Sequence, residues 1–228
     1  MIFKYDSTEV SIPVEEYSKI LVRASGGADS SILLVLICEA ISRLQLNAEV
    51  FIASIYWKLK PFGKIYMTTV YDEVRSMYPN VRIHEPTFFE CTDLETYSTM
   101  QVYAEEYMMN KHGVQISFVG VTKNPTENDT NWGSVWDWRD KRRDDGNSYI
   151  EEFKIMQSGE RKGLAKCAPF KNISKRQTCD LYKMMNVLET LYPMTYSCEG
   201  YPQDNDYYQK HCGKCWWCKE REWGFGKT

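Results

Sequence analysis

The 228-residue sequence lacks any apolar run of the roughly 18 residues that a membrane-spanning helix requires. It also lacks a charge excess, because 28 lysines and arginines stand against 31 aspartates and glutamates. The stretch Met1–Val10 has no apolar core of the signal-peptide kind. We therefore expect a cytoplasmic protein that has no membrane partner and no general electrostatic attraction to nucleic acid.

Histidine is scarce, with three residues, whereas cysteine is plentiful, with eight. Without an export signal, the even number of cysteines does not indicate a disulfide framework. Four of them lie close together near the C-terminal end: Cys198, Cys212, Cys215 and Cys218. The last three form a Cys-x-x-Cys-x-x-Cys pattern. Four thiolates with such spacing are typical of a structural zinc site. An iron–sulfur cluster can use similar spacings and is the alternative.

The Gly-Lys-Ser/Thr ending of the common nucleotide-binding loop is absent as well. Instead, the apolar run Lys19–Ala24 leads into a different glycine-rich stretch: Ser25, Gly26, Gly27, Ala28, Asp29, Ser30 and Ser31. The apolar helical segment Ile32–Leu44 follows at once. Glycines allow a tight turn, and the unpaired amides and dipole at a helix start attract anions. These seven residues therefore predict phosphate binding, with an ordinary serine-capped turn as the alternative.

The side chains of this loop add to that prediction. The hydroxyl groups of Ser25, Ser30 and Ser31 can donate hydrogen bonds to a phosphate. Asp29 can hold a magnesium ion that screens the phosphate charge.

Apolar segments alternate between strand-like and helix-like patterns along the chain. Strands are predicted at Lys19–Ala24, Ala48–Trp57, Asn80–His84 and Gln115–Val121, and helices at Ile32–Leu44, Lys64–Tyr78, Leu94–Asn110 and Ser174–Leu188. In the second helix, Ile65, Val70 and Val74 are expected to face inward. This alternation predicts an α/β fold, in which helices cover both faces of a parallel sheet. Ligands of such sheets bind at the carboxyl ends of the strands, where the glycine-rich loop lies.

A long polar segment, Thr122–Ser148, interrupts this pattern. It carries Trp132, Trp136 and Trp138, which could stack on a flat base. The cations Arg139, Lys141, Arg142 and Arg143 follow these tryptophans and could meet phosphate. A loop of this length is typical of a lid or a binding element. A solvated surface loop is the equal alternative.

The motifs together resemble a known family. The run Ser25–Ser30 is similar to the signature SGGxDS of the PP-loop ATP pyrophosphatases. Near the C-terminus, Ala168–Phe170, Ser174-Lys175, Ser197-Cys198 and Cys212–Arg221 resemble segments of the 7-cyano-7-deazaguanine synthase family. The resemblance implies an adenine nucleotide α-hydrolase-like PP-loop domain over residues 1–190. It also implies a four-cysteine zinc region over residues 191–228, packed on that domain, and a homodimer.

The resemblance also implies an activity. It implies a ligase of queuosine biosynthesis that uses ATP, Mg2+ and Zn2+ to convert 7-carboxy-7-deazaguanine and ammonia into the nitrile. Asp29 and Lys175 would be the catalytic residues, with Lys175 near the phosphates. The segments Tyr56–Lys58 and Lys123–Asp129 depart from the family pattern around the substrate, so ATP chemistry is better supported than the deazapurine substrate.

Two other functions remain open. One is a divergent PP-loop enzyme that adenylates or thiolates a nucleic acid or a protein tail, with Cys91 or Cys167 as the candidate sulfur. The other is a nucleotide-binding module without catalysis.

Overall fold

A largely parallel sheet forms the centre of the fold in a computed structural model, which describes residues 1–58, 60, 62–92, 94–147 and 150–226. The side chains of Leu94 and Glu95 lie outside the described part, as does Ser148, the last residue of the predicted polar loop.

The strands of the sheet follow the order β5-β4-β3-β7-β9-β8, and β6 pairs with β4 beyond the end of β5. All pairings are parallel except that of β8 with β9. A separate antiparallel hairpin, β1 with β2, precedes the sheet. The bounds are Ile2–Tyr5, Thr8–Ser11, Lys19–Arg23, Glu49–Trp57, Arg82–Ile83, Thr87–Cys91, Ile116–Val119, Phe153–Ile155 and Ala165–Cys167 for β1 to β9.

Five α-helices accompany these strands in the described residues: α1 Ala28–Arg43, α2 Phe62–Met77, α3 Leu94–His112, α4 Lys175–Met184 and α5 Trp216–Phe225. Side chains alternate between the two faces of a strand. On β3, Ile20 and Val22 therefore join the apolar cluster of α1, α2 and α4, whereas Leu21 joins the cluster of α3. Helices thus cover both faces of the sheet, which confirms the predicted fold class.

Helix α1 is apolar on nearly every face, which explains its central position in the fold. Its residues from Ile32 to Cys38 are all completely buried, so the helix is enclosed on every side. The helix begins at Ala28, four residues before the predicted start, so the second half of the glycine-rich loop is already helical. In α2, Val70 and Val74 are buried as predicted, but the prediction for Ile65 is wrong, because this side chain is 63% exposed.

A buried carboxylate ties α3 to the sheet. Glu105 is completely buried and pairs with Arg23 on β3 at 3.3 Å, with Lys166 on β9 at 3.0 Å and with Arg161 at 2.7 Å. It also accepts a hydrogen bond from the Ser117 hydroxyl on β7 at 3.1 Å. Burial alone would raise the pKa of Glu105, but the surrounding cations outweigh it and lower the pKa. The carboxylate therefore holds three strands in place beside α3.

Within the described residues, we find no helix that combines the length and the apolar character needed to cross a bilayer.

Candidate functional site

The glycine-rich loop connects the carboxyl end of β3 to the start of α1. Gly26 has a φ of +76°, and a Cβ atom there would lie 2.7 Å from the Met67 nitrogen of α2. Only glycine combines that backbone conformation with so close an approach. Gly27 is the N-cap of α1 and offers no capping side chain. The loop is thus held against α2, and the first amides of α1 have no cap from the loop itself.

The serine hydroxyls shape the loop from within. Ser30 Oγ accepts a hydrogen bond from Ser25 N at 3.2 Å and donates to Gly27 O at 3.2 Å. Ser31 is completely buried, and its hydroxyl donates to Gly27 O at 2.9 Å. Ser25 Oγ accepts from Gly27 N at 3.3 Å. All three hydroxyls therefore support the turn, and their contact with phosphate stays a prediction.

A charged cluster lies beside the loop. Lys175, at the start of α4, contacts Asp29 Oδ2 and lies 3.7 Å from Glu220 Oε2 on α5. Arg143 contacts the other oxygen of Glu220 and donates to Thr122 O at 2.7 Å. Thr122 Oγ1 lies 3.5 Å from Asp29 Oδ2, so the contacts lead from Asp29 through the other residues of the cluster and back to Asp29. Two cations thus balance two carboxylates in a cluster formed by residues far apart in sequence.

Burial gives these contacts their strength. Lys175 is only 5% exposed, so it is not the solvated lysine of an ordinary helix start. Burial alone would lower the pKa of Arg143, but the carboxylates of Glu220 and Asp29 outweigh it and raise the pKa. Arg143 is therefore positively charged at neutral pH.

Asp29 has one carboxylate oxygen to spare. Its Oδ2 contacts Lys175, whereas Oδ1 is buried without a hydrogen-bond partner among the described residues. A buried oxygen without a donor is costly unless a ligand satisfies it. Carboxylate oxygens are the ligands that Mg2+ prefers, so Asp29 fits a magnesium ion bound together with phosphates.

The four C-terminal cysteines come together as predicted. Their sulfur atoms all lie within 4.8 Å of one another. Cys212 Sγ is 3.8 Å from Cys218 Sγ, and Cys215 Sγ is 3.9 Å from Cys198 Sγ. Zinc–sulfur bonds of about 2.3 Å in a tetrahedron place the sulfurs about 3.8 Å apart. The spacing therefore fits one tetrahedral ion, whereas a multi-iron cluster between the sulfurs would need more room.

Main-chain amides surround these sulfurs. Cys198 Sγ accepts from Gly200 N at 3.3 Å and from Cys212 N at 3.5 Å, and Cys212 Sγ accepts from Cys215 N at 3.3 Å. The thiols of Cys215 and Cys218 also donate to Cys198, which lowers the pKa of Cys198 far below its usual value. Donors aimed at sulfur stabilise thiolates, the form that binds metal.

The tryptophans of the polar loop pack on the cysteine region. Trp216 follows Cys215 and is completely buried, and the rings of Trp132 and Trp136 meet it edge-on at 4.9 and 5.4 Å between centroids. Trp132 and Trp136 are thus partly buried against α5, and stacking of the loop's tryptophans on a base stays a prediction. Trp138 is 59% exposed. Trp216 thus packs the polar loop against the cysteine region.

A short segment before the first cysteine joins the two sites. Tyr196 N donates to Gly26 O at 2.9 Å, and Ser197 Oγ accepts from Ala28 N, the first amide of α1, at 3.4 Å. The Tyr196 ring stacks on Tyr66 of α2 at 4.6 Å and on His211 at 4.7 Å. The His211 ring thus packs on Tyr196, and burial lowers the pKa of His211 to about 4. The cysteine region therefore contacts the glycine-rich loop directly.

A polar cavity of about 280 Å³ adjoins the charged cluster. Thr122 and Arg143 belong both to the cluster and to the cavity lining, and Lys123, Arg142 and Lys171 add three more cations to that lining. The cavity lies beyond the carboxyl end of β7, where ligands of parallel sheets bind. Asp144 and Asp145 also line the cavity, so four cations face two carboxylates there, and the volume is large enough for a small bicyclic molecule.

Comparison with known proteins supports one part of the predicted resemblance. Residues 143–228 match the model of the family described as "Queuosine biosynthesis protein QueC". The predicted family resemblance is confirmed over this region. The QueC-like region contains Lys175, Ser197, Glu220 and all four cysteines of the cluster, and it begins at Arg143. The matched region extends across the predicted domain boundary after residue 190. That boundary stays a prediction. Together with the loop, it supports an ATP-using enzyme of the PP-loop class.

Other comparisons add little. No curated protein matches the sequence. Among solved structures, the U34-tRNA thiolase NcsA from Methanococcus maripaludis with its [4Fe-4S] cluster is 13% identical, with 91% of this chain and 70% of that chain covered and a TM-score of 0.49. An NAD+ synthetase from Burkholderia pseudomallei is also 13% identical, with 93% and 75% covered and a TM-score of 0.38. At these low scores, the fold assignment rests on the sheet order itself.

Sequence reasoning missed the roles of three residues of the site: Arg143, Ser197 and Glu220. Ser197 and Glu220 stand in segments that resemble the family, but the pattern does not tell which neighbour faces the loop. Arg143 stands in a basic run that the sequence assigned to a solvated or phosphate-binding surface. Its burial against Glu220 could not be read from composition, because it depends on the docking of α5.

We expect Gly26→Ala to destabilise the protein through two effects. The left-handed backbone costs any L-residue about 1–2 kcal/mol. Overlap of the new Cβ with the backbone of α2 adds about 1–3 kcal/mol. Gly159→Ala is the matched control, because Gly159 has a similar φ of +71° but nothing within 4 Å of its Cβ position. Urea unfolding of both variants measures the difference, and equal losses would contradict the close approach of α2.

Proposed function

We propose that the protein synthesises 7-cyano-7-deazaguanine from 7-carboxy-7-deazaguanine and ammonia at the expense of ATP. One observation carries this proposal. Asp29 of the phosphate loop contacts Lys175 of the QueC-like region, although 146 positions separate them. A loop that resembles the PP-loop ATP pyrophosphatases and a region that resembles the QueC family thus meet in a single buried cluster.

The reaction requires an activated acid. A carboxylate oxygen of the substrate attacks the α-phosphorus of ATP, pyrophosphate leaves, and an acyl adenylate forms. Ammonia then attacks the acyl carbon, a proton is lost, and AMP leaves with the former carboxylate oxygen to give the amide. The amide oxygen attacks the α-phosphorus of a second ATP, pyrophosphate leaves, and loss of AMP and of both amide protons yields the nitrile. Each step replaces a poor leaving group with AMP.

The residues of the site have distinct tasks in this scheme. The amides at the start of α1 hold the pyrophosphate portion, and Lys175 supplies positive charge where phosphate charge develops. A magnesium ion held by Asp29 would add charge neutralisation. The four cysteines would hold zinc as a structural ion, because all four coordination positions are taken by protein sulfur.

We place the deazapurine substrate in the cavity lined by Thr122, Lys123, Arg143 and Lys171. Its lysines offer charge to the substrate carboxylate, and Thr122 lies next to Asp29, so the carboxylate would stand near the α-phosphate. A cavity of about 280 Å³ can hold a molecule of the size of a deazapurine acid.

The thiolating alternative has less support. Cys91 and Cys167 are only 2% and 3% exposed. Burial raises the pKa of Cys167 to about 12. Thiolates, rather than thiols, carry sulfur chemistry, so neither residue offers a reactive sulfur.

A product assay tests the proposal. The protein is incubated with Mg2+, ATP, ammonia and 7-carboxy-7-deazaguanine, and the products are separated and weighed by mass spectrometry. We expect two molecules of AMP and of pyrophosphate for every molecule of nitrile, and no turnover by Asp29→Asn. Asp72→Asn is the matched control, because Asp72 is an exposed residue of α2. AMP release with a different acid would keep the ATP chemistry and refute the substrate. Absence of AMP with every acid would favour the binding module.

A further inference from the structure

The strongest unused contact is that between Ser197 and the start of α1. Ala28 N, the first amide of the helix, donates to Ser197 Oγ at 3.4 Å, although 169 positions separate the two residues. Gly27, the N-cap, contributes no side chain there. Helix amides at this position normally receive a cap from the residue just before the helix or from an anion. In this protein the hydroxyl of Ser197, which is distant in sequence, takes the place of that cap.

The surroundings leave room for an anion at the same place. Ser197 is only partly buried, and its hydroxyl hydrogen has no acceptor among the described residues. A Cβ on Gly27 would lie 3.3 Å from Ser197 Oγ, so the missing side chain keeps this side of the loop open. A hydroxyl that accepts from the helix amide still has its own hydrogen to donate. A phosphate oxygen is the acceptor that the phosphate loop would bring to it.

The cysteine cluster fixes this hydroxyl. Ser197 is followed directly by Cys198, whose sulfur is completely buried among the other three. Tyr196 on its other side is held by its hydrogen bond to Gly26 O and by the stacked rings of Tyr66 and His211. Ser197 N also donates to His211 Nε2 at 3.4 Å, next to the ligand Cys212. The position of the hydroxyl therefore depends on the metal site on both sides.

We infer that Ser197 is a pyrophosphate-binding residue of the loop and that a metal bound to the four cysteines holds it there. The inference rests on the proposed function, since it assigns a further ligand to the same phosphates. It gives the cysteine cluster a purpose beyond folding: the loss of the metal weakens phosphate binding through Ser197. A charge-assisted hydrogen bond of this kind contributes about tenfold or more to affinity.

Binding of inorganic pyrophosphate in the presence of Mg2+ tests the inference by calorimetry, without turnover. We expect Ser197→Ala to raise the Kd about tenfold while metal content and circular dichroism stay unchanged. Ser197→Thr should restore most of the affinity, because it keeps the hydroxyl. Ser76→Ala is the control, since the Ser76 hydroxyl is exposed on α2 and donates to Glu73 O.

A double-variant cycle tests the dependence on metal. Cys212→Ser should lower the metal content and raise the Kd in the otherwise native chain, but it should raise the Kd no further once Ser197 is alanine. An unchanged or lower Kd in Ser197→Ala overturns the role of Ser197. Equal effects of Cys212→Ser in both backgrounds overturn the role of the metal. If the native protein binds no pyrophosphate at all, the proposed function fails, which separates the two results.

Discussion

Lys175→Met is expected to reduce ATP cleavage about 10²–10³-fold, the usual cost of removing one preorganised charge from a reacting site. Methionine keeps the length of the buried stem but removes the ammonium group between Asp29 and Glu220. The Asp29 carboxylate then lacks its cation in a buried place, so we also expect a loss of about 3–5 kcal/mol in the free energy of unfolding. The rate of AMP release and urea unfolding measure the two effects.

Two further variants separate catalysis from stability. The control is Lys183→Ala, because Lys183 lies on the same helix and forms an exposed ion pair with Asp180. It should change both quantities little. In the double variant Lys175→Met with Asp29→Asn, no unpaired aspartate charge remains, so most of the stability should return while activity stays lost. Recovery of activity in that variant would show that Lys175 acts only through the fold.

Cys198→Ser is expected to have the largest effect on folding. Zinc sites of four cysteines bind with apparent free energies of about 10–16 kcal/mol in model peptides, and much of that energy is folding energy. Loss of one thiolate should therefore release the metal and expose residues 196–226 to proteolysis. Elemental analysis should find one zinc per native chain and much less in the variant.

Cys179→Ala supplies the control for this experiment. Cys179 is also buried, but it lies on α4 outside the cluster. Its replacement should leave the zinc content unchanged and cost about 1 kcal/mol, as is common for a small change in a core. A brown native protein that contains iron would contradict the zinc assignment and support the alternative cluster.

Sequence reasoning succeeded where a local pattern has only one structural solution. The two glycines before an apolar helix predicted the turn at Gly26, and its positive φ and its contact with α2 explain why the pattern is specific. The cysteine spacing predicted the cluster, because a two-residue gap allows one tight turn to present two sulfurs. Continuous apolar runs predicted β3 and β4, since parallel strands are buried on both faces.

The failures involve contacts between segments that are distant in the chain. Ile65 fits the helical period of α2, but the helix turns Met67, Val70 and Val74 towards the core and leaves Ile65 exposed. The short strand β9 has three residues, too few for a periodic signal, and its place is fixed by pairing with β7. Trp132 and Trp136 could not be assigned to Trp216 from sequence, because no local pattern specifies where a polar loop packs.

The central claim is that the main-chain amides at the start of α1 bind the phosphates of ATP. Amide chemical shifts of the isotope-labelled protein, recorded during addition of Mg2+ with a non-cleavable ATP analogue, test it most directly. The account predicts that the largest and saturable shifts belong to Gly26, Gly27, Ala28, Asp29 and Ser30, with a weaker response at Ser197. A saturating titration that leaves these amides in place and shifts another part of the molecule would contradict the account.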